Sequence, residues 1–141
     1  MEIGFTGTRK GMTAAQLNTL ARELRQFSRP IGNAFTAVHH GDCVGADEQF
    51  HQYIRKNYPA VFIHIHPPYD NEFRAFCDGD DAEEPKEYLT RNRDIVDASQ
   101  CILAVPDGPE KNRSGTWYTI RYARRIGRRV MVILPTETIH F

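Results

Sequence analysis

Glu2-Ile3-Gly4-Phe5-Thr6-Gly7-Thr8-Arg9-Lys10-Gly11 is the stretch on which the fold turns. Residues 2–6 read as a short strand, and the glycines after it mark a tight turn. A helix then runs from about Thr13 to Phe27, with Leu17, Leu20, Ala21, Leu24 and Phe27 at helical spacing. Thr13 followed three residues later by Gln16 predicts a capping box at its start. Pro30 and Gly32 close this unit, and the pattern repeats. A second strand is expected at about Ala34–His39, a turn at His40–Gly45 and a helix at Ala46–Asn57 with Phe50, Tyr53 and Ile54 facing inward. Val61–His66 reads as a third strand, stopped by Pro67-Pro68.

Residues 69–84 are rich in acidic side chains and predict a long loop, a lid or a disordered segment. Beyond it a helix is expected over Pro85–Ala98, a strand over Cys101–Val105 and a loop over Pro106–Arg113. Another helix covers Ser114–Ile126, with Gly127 as its stop, and the last strand is Arg129–Leu134. Strands alternating with helices predict the α/β class. The specific expectation is a Rossmann-like doubly wound parallel sheet of about five strands, ordered 3-2-1-4-5, with helices on both faces. The 141 residues are expected to form one domain, 1–141. In that order a crevice opens beyond the carboxyl ends of strands one and four, where the loops richest in Gly, Thr, Ser and Arg meet.

Composition narrows the partners. Lys plus Arg and Asp plus Glu both number 18, so the formal net charge is zero. Duplex DNA and membrane surfaces usually demand a basic excess, so neither is the expected partner. The three cysteines, Cys43, Cys77 and Cys101, have no paired spacing and predict no disulfide framework. No apolar run approaches a membrane span and no leader pattern is present, so the cytoplasm is the expected location.

Four motifs carry chemistry. In the first, Gly7, Thr8 and Arg9 combine a bendable backbone, a hydroxyl and a guanidinium that can hold phosphate with two bonds. The spacing matches neither a Walker loop nor GxGxxG, and the plainer reading is a strand-to-helix turn with a surface arginine. In the second, Gly41 and Gly45 bracket a turn that places Asp42 where it could accept from ribose hydroxyls. Asp47 falls in the first helical turn, where capping alone would also explain it. Cys43 reads as a small turn residue. In the third, Arg113, Ser114, Gly115 and Thr116 open a helix and make an anion pocket of amides and hydroxyls, although Ser114 also suits a simple N-cap. Trp117 could stack on a base or belong to the core. In the fourth, Arg91 and Asn92 sit on a helix whose Ile95 and Val96 are apolar, so Asn92 must find partners in a neighbouring loop or in a ligand.

Histidines form a weaker set. His64 and His66 share one strand face, and His39-His40 end another strand. Such spacing can place imidazoles side by side, but no third or fourth ligand is evident, so neither a metal nor another cofactor is expected. His40 is better placed as a ligand contact or general base. The arginines 121, 124, 125, 128 and 129 read as a solvated helix face with cations near its C-terminus.

Taken together, Gly4 to Arg9, His40 to Asp47, Arg91 to Val96, Ala104 to Gly108 and Arg113 to Thr116 resemble the SLOG superfamily, which groups the DNA-processing protein A and LONELY GUY Rossmann-like domains. The resemblance spans nearly the whole chain and implies a nucleotide or nucleotide-like ligand and a homodimer or higher homo-oligomer. LONELY GUY enzymes are phosphoribohydrolases whose Gly-Gly-x-Gly-Thr loop is followed, three residues after the Thr, by a catalytic Glu. Gly115-Thr116 match the end of that loop, Arg113-Ser114 replace its glycine-rich lead, and Thr119 stands where the Glu would be.

The expectation is therefore a binding module, a sensor or sequestering protein for a nucleotide-derived signal, in a setting such as phage–bacterium conflict that the resemblance suggests. The alternative is a hydrolase of an N-glycosidic or phosphate bond, with His40, Asp42 or Asp47 supplying acid–base function. Single-stranded DNA binding is disfavoured by the zero net charge.

Overall fold

The computed structural model describes residues 1–28, 35–136 and 138–141. The strand–turn–helix reading of the N-terminal segment holds: β1 is Glu2–Gly7 and α1 is Ala14–Phe27. Ile3 and Phe5 alternate onto one face of β1 and are fully buried there, under Leu20 and Leu24 of α1. The capping box is present, with Thr13 Oγ1 accepting from the Gln16 amide and Gln16 Oε1 accepting from the Thr13 amide, both at 3.0 Å. Gln16 Nε2 then donates to the carbonyls of Pro106 and Ile133, so one buried amide ties α1 to the carboxyl ends of two other strands.

The chain continues through β2 (Ala37–His40), α2 (Ala46–Asn57), β3 (Phe62–Ile65), β4 (Asp81–Ala82), α3 (Tyr88–Asp97), β5 (Cys101–Val105), α4 (Gly115–Arg125), β6 (Arg129–Ile133) and β7 (Ile139–His140). The expected connection at Pro30 and Gly32, and Ala34 at the expected start of the second strand, lie outside the described residues. The sheet order is β4-β3-β2-β1-β5-β6-β7. Its five inner strands are parallel, in the order expected. The sheet has seven strands rather than five because each edge gains a two-residue strand. β4 pairs in parallel with β3, and β7 pairs antiparallel with β6.

β4 comes from the acidic segment 69–84, for which the expectation is a long loop, a lid or a disordered segment. Asp80 Oδ2 accepts from the Ile63 amide at 2.8 Å and from Arg55 at 3.0 Å, and Arg55 also holds the Asp78 carbonyl. These bonds dock the segment on the β3 edge. The third helix starts at Tyr88 rather than Pro85, since Lys86 is held by backbone bonds to Pro67 and Tyr69 and Glu87 serves as the N-cap.

Two apolar clusters lie on opposite faces of the sheet. The larger packs α1 and α2 on β1, β2, β3, β5 and β6, with Phe5 stacked on Phe50 at 4.2 Å. The smaller packs α3 and α4 on β5 and β6, through Val96, Trp117, Ile120 and Ala123. Among the described residues no helix is long and apolar enough to cross a membrane.

Candidate functional site

Sequence order reverses between β1 and β5, and a cavity of about 410 Å³ opens at their carboxyl ends. Its floor includes Phe5, Thr6 and Gly7 of β1 and Ile95 of α3. Three loops wall it: Thr8–Lys10 after β1, Gly41 and Cys43 after β2, and Asp107 to Thr116 after β5. Tyr88, Arg91 and Asn92 of α3 close the remaining side.

The first loop is braced from behind. The Thr8 carbonyl accepts from the amides of Gly11 (3.2 Å) and Ala46 (3.0 Å), and the Thr8 amide donates to Val105 O at 3.1 Å. The Thr8 hydroxyl accepts from the Lys10 amide at 3.1 Å, which leaves its own proton to donate. The Arg9 guanidinium lies over the Phe73 ring, 4.1 Å from its centre, and has no carboxylate partner among the described residues. Lys10 and Lys111 instead share Asp107, at 3.1 and 3.0 Å, and the two ammonium groups hold that carboxyl below its ordinary range.

α4 begins at another part of the lining. Ser114 caps it by accepting from the Trp117 amide at 3.2 Å. The amides of Gly115 and Thr116, one and two residues into the helix, donate to no group among the described residues. These are the orphan donors of a helix N-terminus, and the helix dipole makes their surroundings attractive to an anion. Arg113 beside them forms no ion pair among the described residues.

Arg91 is the buried charge of the site, 4% exposed. Its Nη1 donates to the carbonyls of Gly41 and His66, Nε to Asn92 Oδ1 at 2.7 Å, and Nη2 approaches Cys43 Sγ at 3.7 Å. A Cβ on Gly41 would sit 2.5 Å from Arg91 Nη1, so this close approach needs glycine. Asn92 is thereby oriented with its oxygen spent, and its Nδ2 makes no hydrogen bond among the described residues, although the residue is only 8% exposed. The Tyr88 hydroxyl is buried and likewise without a partner.

Asp47 lies at the cavity's base, 6% exposed, and accepts from the Cys43 amide at 3.1 Å. Burial pushes its carboxyl up to about 6, against the opposing pull of Arg91 and the backbone amides. Burial also pushes the Cys43 thiol up.

Of the residues singled out from the sequence, Gly7, Thr8, Arg9, Gly41, Asp47, Arg91, Asn92, Arg113, Ser114, Gly115 and Thr116 border this one cavity. His40, Asp42 and Gly45 do not. Asp42 is fully buried, with Oδ2 bonded to Arg74 Nε (2.9 Å) and Oδ1 to the Cys77 amide (2.8 Å). It adopts a left-handed backbone, φ 56°, and its carbonyl holds the Ala75 amide at 2.7 Å. Its carboxylate therefore locks residues 73–77 in place rather than facing a ribose. His40 spends Nδ1 on the Asp42 amide and Nε2 on His51, and burial keeps the ring well below the ordinary imidazole value. Gly45, φ +90°, precedes α2, where a Cβ would lie 2.3 Å from Arg9 O, so it sets the position of the first loop from outside the cavity. Thr119 is buried, its hydroxyl donating to Gly115 O at 2.8 Å within its own helix.

Lys10, Tyr88, Asp107 and Lys111 were not chosen as site residues. Tyr88 had a signal: it lies three residues before Arg91, on the same helical face. Lys111 sits in an irregular loop, where no periodicity reports direction.

Among solved structures, the chain is similar to the molybdenum cofactor binding protein from the phototrophic bacterium Rippkaea orientalis, with a TM-score of 0.69 and 18% identity over 94% of this chain and 76% of that one. It is also similar to the protein TM1055, with a TM-score of 0.59 and 14% identity over 92% of this chain and 71% of that one. No protein-family profile matches the chain, and no curated protein does. At these identities the likeness establishes a Rossmann-like fold.

Proposed function

We propose that the protein binds a nucleotide or nucleotide-derived phosphate ester in the cavity between β1 and β5, as a sensor or sequestering module. The observation that carries this reading is a set of unspent donors around one cavity. The Gly115 and Thr116 amides, Arg113, the Thr8 hydroxyl, Arg9 and Asn92 Nδ2 all belong to residues that line it, and Asn92 Nδ2 lies beside Gly115. Charge supports it: the lining carries five cationic side chains against two carboxylates, in a chain of zero net charge. The volume, about 410 Å³, lies within the usual range of small-molecule sites, roughly 300–1,000 Å³. The Rippkaea orientalis neighbour is described as binding molybdenum cofactor, so the same fold there serves a small-molecule ligand.

Calorimetry against nucleoside mono- and diphosphates, ADP-ribose forms and cyclic oligonucleotides tests the proposal. Micromolar or tighter binding of at least one is expected, and silence across the panel overturns it. A role in phage–bacterium conflict and assembly into a homodimer or higher homo-oligomer extend the same reading, and light scattering measures the latter directly.

Hydrolysis is the second reading, favoured by one observation. A carboxyl poised near 6 at the base of the cavity has the protonation range of a general acid or base. Asp107 is held between two lysines and Thr119 is turned into its helix, so Asp47 is the residue this reading needs. Long incubation of a bound ligand separates the two. Release of free base or ribose phosphate, abolished in Asp47→Asn, establishes turnover; recovery of intact ligand establishes binding alone.

A further inference from the structure

The sheet face that carries α3 and α4 is covered over β5 and β6, but it bears polar side chains over β2, β3 and β4. Strand register sets Gly4, His39, His64 and Asp81 in one row across four adjacent parallel strands. Glu2 lies two residues before Gly4, on the same face of β1. Two residues on from His64, just past the end of β3, His66 adds a third ring beside His39.

Glu2 Oε1 is 2.8 Å from His39 Nε2 and 3.9 Å from His64 Nε2, and the three atoms lie within 4.8 Å of one another. Tetrahedral coordination with bonds of about 2.0–2.1 Å needs ligand atoms about 3.3 Å apart. The two separations fall on either side of that value, and the His64 ring, now stacked nearly parallel to His39 at 4.5 Å, must tilt out of that stack for both Nε2 lone pairs to converge on one ion. Both imidazoles are also braced behind the nitrogen that would ligate. His64 Nδ1 is 2.8 Å from Asp81 Oδ1, and a carboxylate there fixes the proton on Nδ1 and leaves Nε2 with its lone pair. His39 Nδ1 is 2.8 Å from His66 Nε2, which can accept the same kind of bond. Burial grades outward, from His39 and His66 at 5% exposure to the half-open side chains of Glu2 and Asp81, so a further coordination position faces solvent.

We propose that Glu2, His39 and His64 bind a divalent first-row transition cation of the zinc type, with Asp81 and His66 orienting the two imidazoles and a solvent molecule completing the shell. With the cation on Nε2, the single proton of the neutral His39 ring sits on Nδ1 and is donated to His66 Nε2, whose own proton is then on Nδ1. The third ligand that the sequence reading lacked comes from the neighbouring strand, 37 residues from His39 in the chain.

A second cluster, His40, His51 and Cys77, has comparable separations but the wrong protons. The Asp42 amide donates to His40 Nδ1, so the proton of His40 sits on Nε2, the very atom that faces His51. Ligation there would require an imidazolate.

The test uses the full chain, freed of metal with a chelator and titrated with cobalt(II), then with zinc. One equivalent of cobalt is expected to give weak visible d–d bands without the near-ultraviolet charge-transfer band of a thiolate ligand, and zinc is expected to displace it. His64→Ala should abolish the signal, Asp81→Asn should weaken affinity about 10–100-fold, and His51→Ala should leave both unchanged. Circular dichroism melts accompany each variant, and the partial exposure of His64 and Asp81 makes them tolerant positions. No stoichiometric binding, binding that survives His64→Ala, or a thiolate band lost in His51→Ala would each overturn the proposal. None of these readouts involves the phosphate ligand, so the cavity assignment stands or falls separately.

Discussion

Replacing Asp47 by asparagine removes a titrating proton from the first turn of α2 and keeps an oxygen for the Cys43 amide, which lies 3.1 Å from Oδ2. In the folded protein burial raises this carboxyl from 3.8 to about 6. At 1.36 kcal/mol per pH unit, that gap makes the ionised side chain a burden of ~3 kcal/mol on the fold. The sign follows from proton counting. Between the two values the folded protein holds a proton that the unfolded chain has released, so stability falls as pH rises through this window. Below about pH 4 both states are protonated and the penalty vanishes. Urea unfolding of both proteins at pH 4, 5, 6 and 7.5 should therefore give equal stabilities at the acid end. Asp47→Asn should gain progressively, reaching up to ~3 kcal/mol above pH 7. A difference independent of pH, or a variant less stable at pH 7.5, would mean that the attraction of Arg91 outweighs desolvation and would refute the reasoning.

Arg91→Met strands the carbonyls of Gly41 and His66, and should destabilise the fold by about 1–3 kcal/mol for each in urea melts. Arg91→Lys should not restore it, because an ammonium cannot span the same fork. Gly45→Ala places a methyl 2.3 Å from Arg9 O at φ +90°, and should lower stability by at least ~1–3 kcal/mol while displacing the Arg9 loop. Arg113→Ala touches no ion pair, so stability should stay within about 0.5 kcal/mol. Its ligand affinity, by calorimetry, should nonetheless fall on the order of tenfold, the worth of one charge-assisted bond.

The order of the five inner strands was legible because strand, turn and helix alternate and each apolar run has the length of one element. β4 was not legible. Asp81–Ala82 has no apolar period, and its pairing rests on Asp80 reaching the Ile63 amide and on the match of Asp81 with His64. The turn after β2 shows a subtler limit. Glycine and carboxylate spacing located the turn correctly, but the left-handed backbone at Asp42 swings that side chain into the 73–77 loop, while Gly41 stays on the cavity. A one-residue change of side is invisible to composition. The histidine row was illegible for the same kind of reason: Glu2 comes beside His39 through parallel register, which no local pattern reports.

The cavity's unspent groups constrain the ligand more tightly than its shape does. The Gly115 and Thr116 amides, Asn92 Nδ2 and the arginines can only donate, so the proposed ligand would have to present acceptors, as phosphate and ribose oxygens do. Tyr88 makes the argument testable, because its hydroxyl is buried at the cavity wall without a partner. A buried hydroxyl left unpaired destabilises by about 1–3 kcal/mol relative to one that is satisfied. Tyr88→Phe removes the hydroxyl and keeps the ring that sits beneath Arg91, 5.4 Å away. The ligand-free variant should thus unfold at an equal or higher urea concentration than the wild type, and its affinity for the phosphate ester should fall. Only a hydroxyl reserved for an absent partner gives both signs together. Loss of stability in the free protein would show that an internal group already satisfies it, and the case for a ligand acceptor at that point would fail.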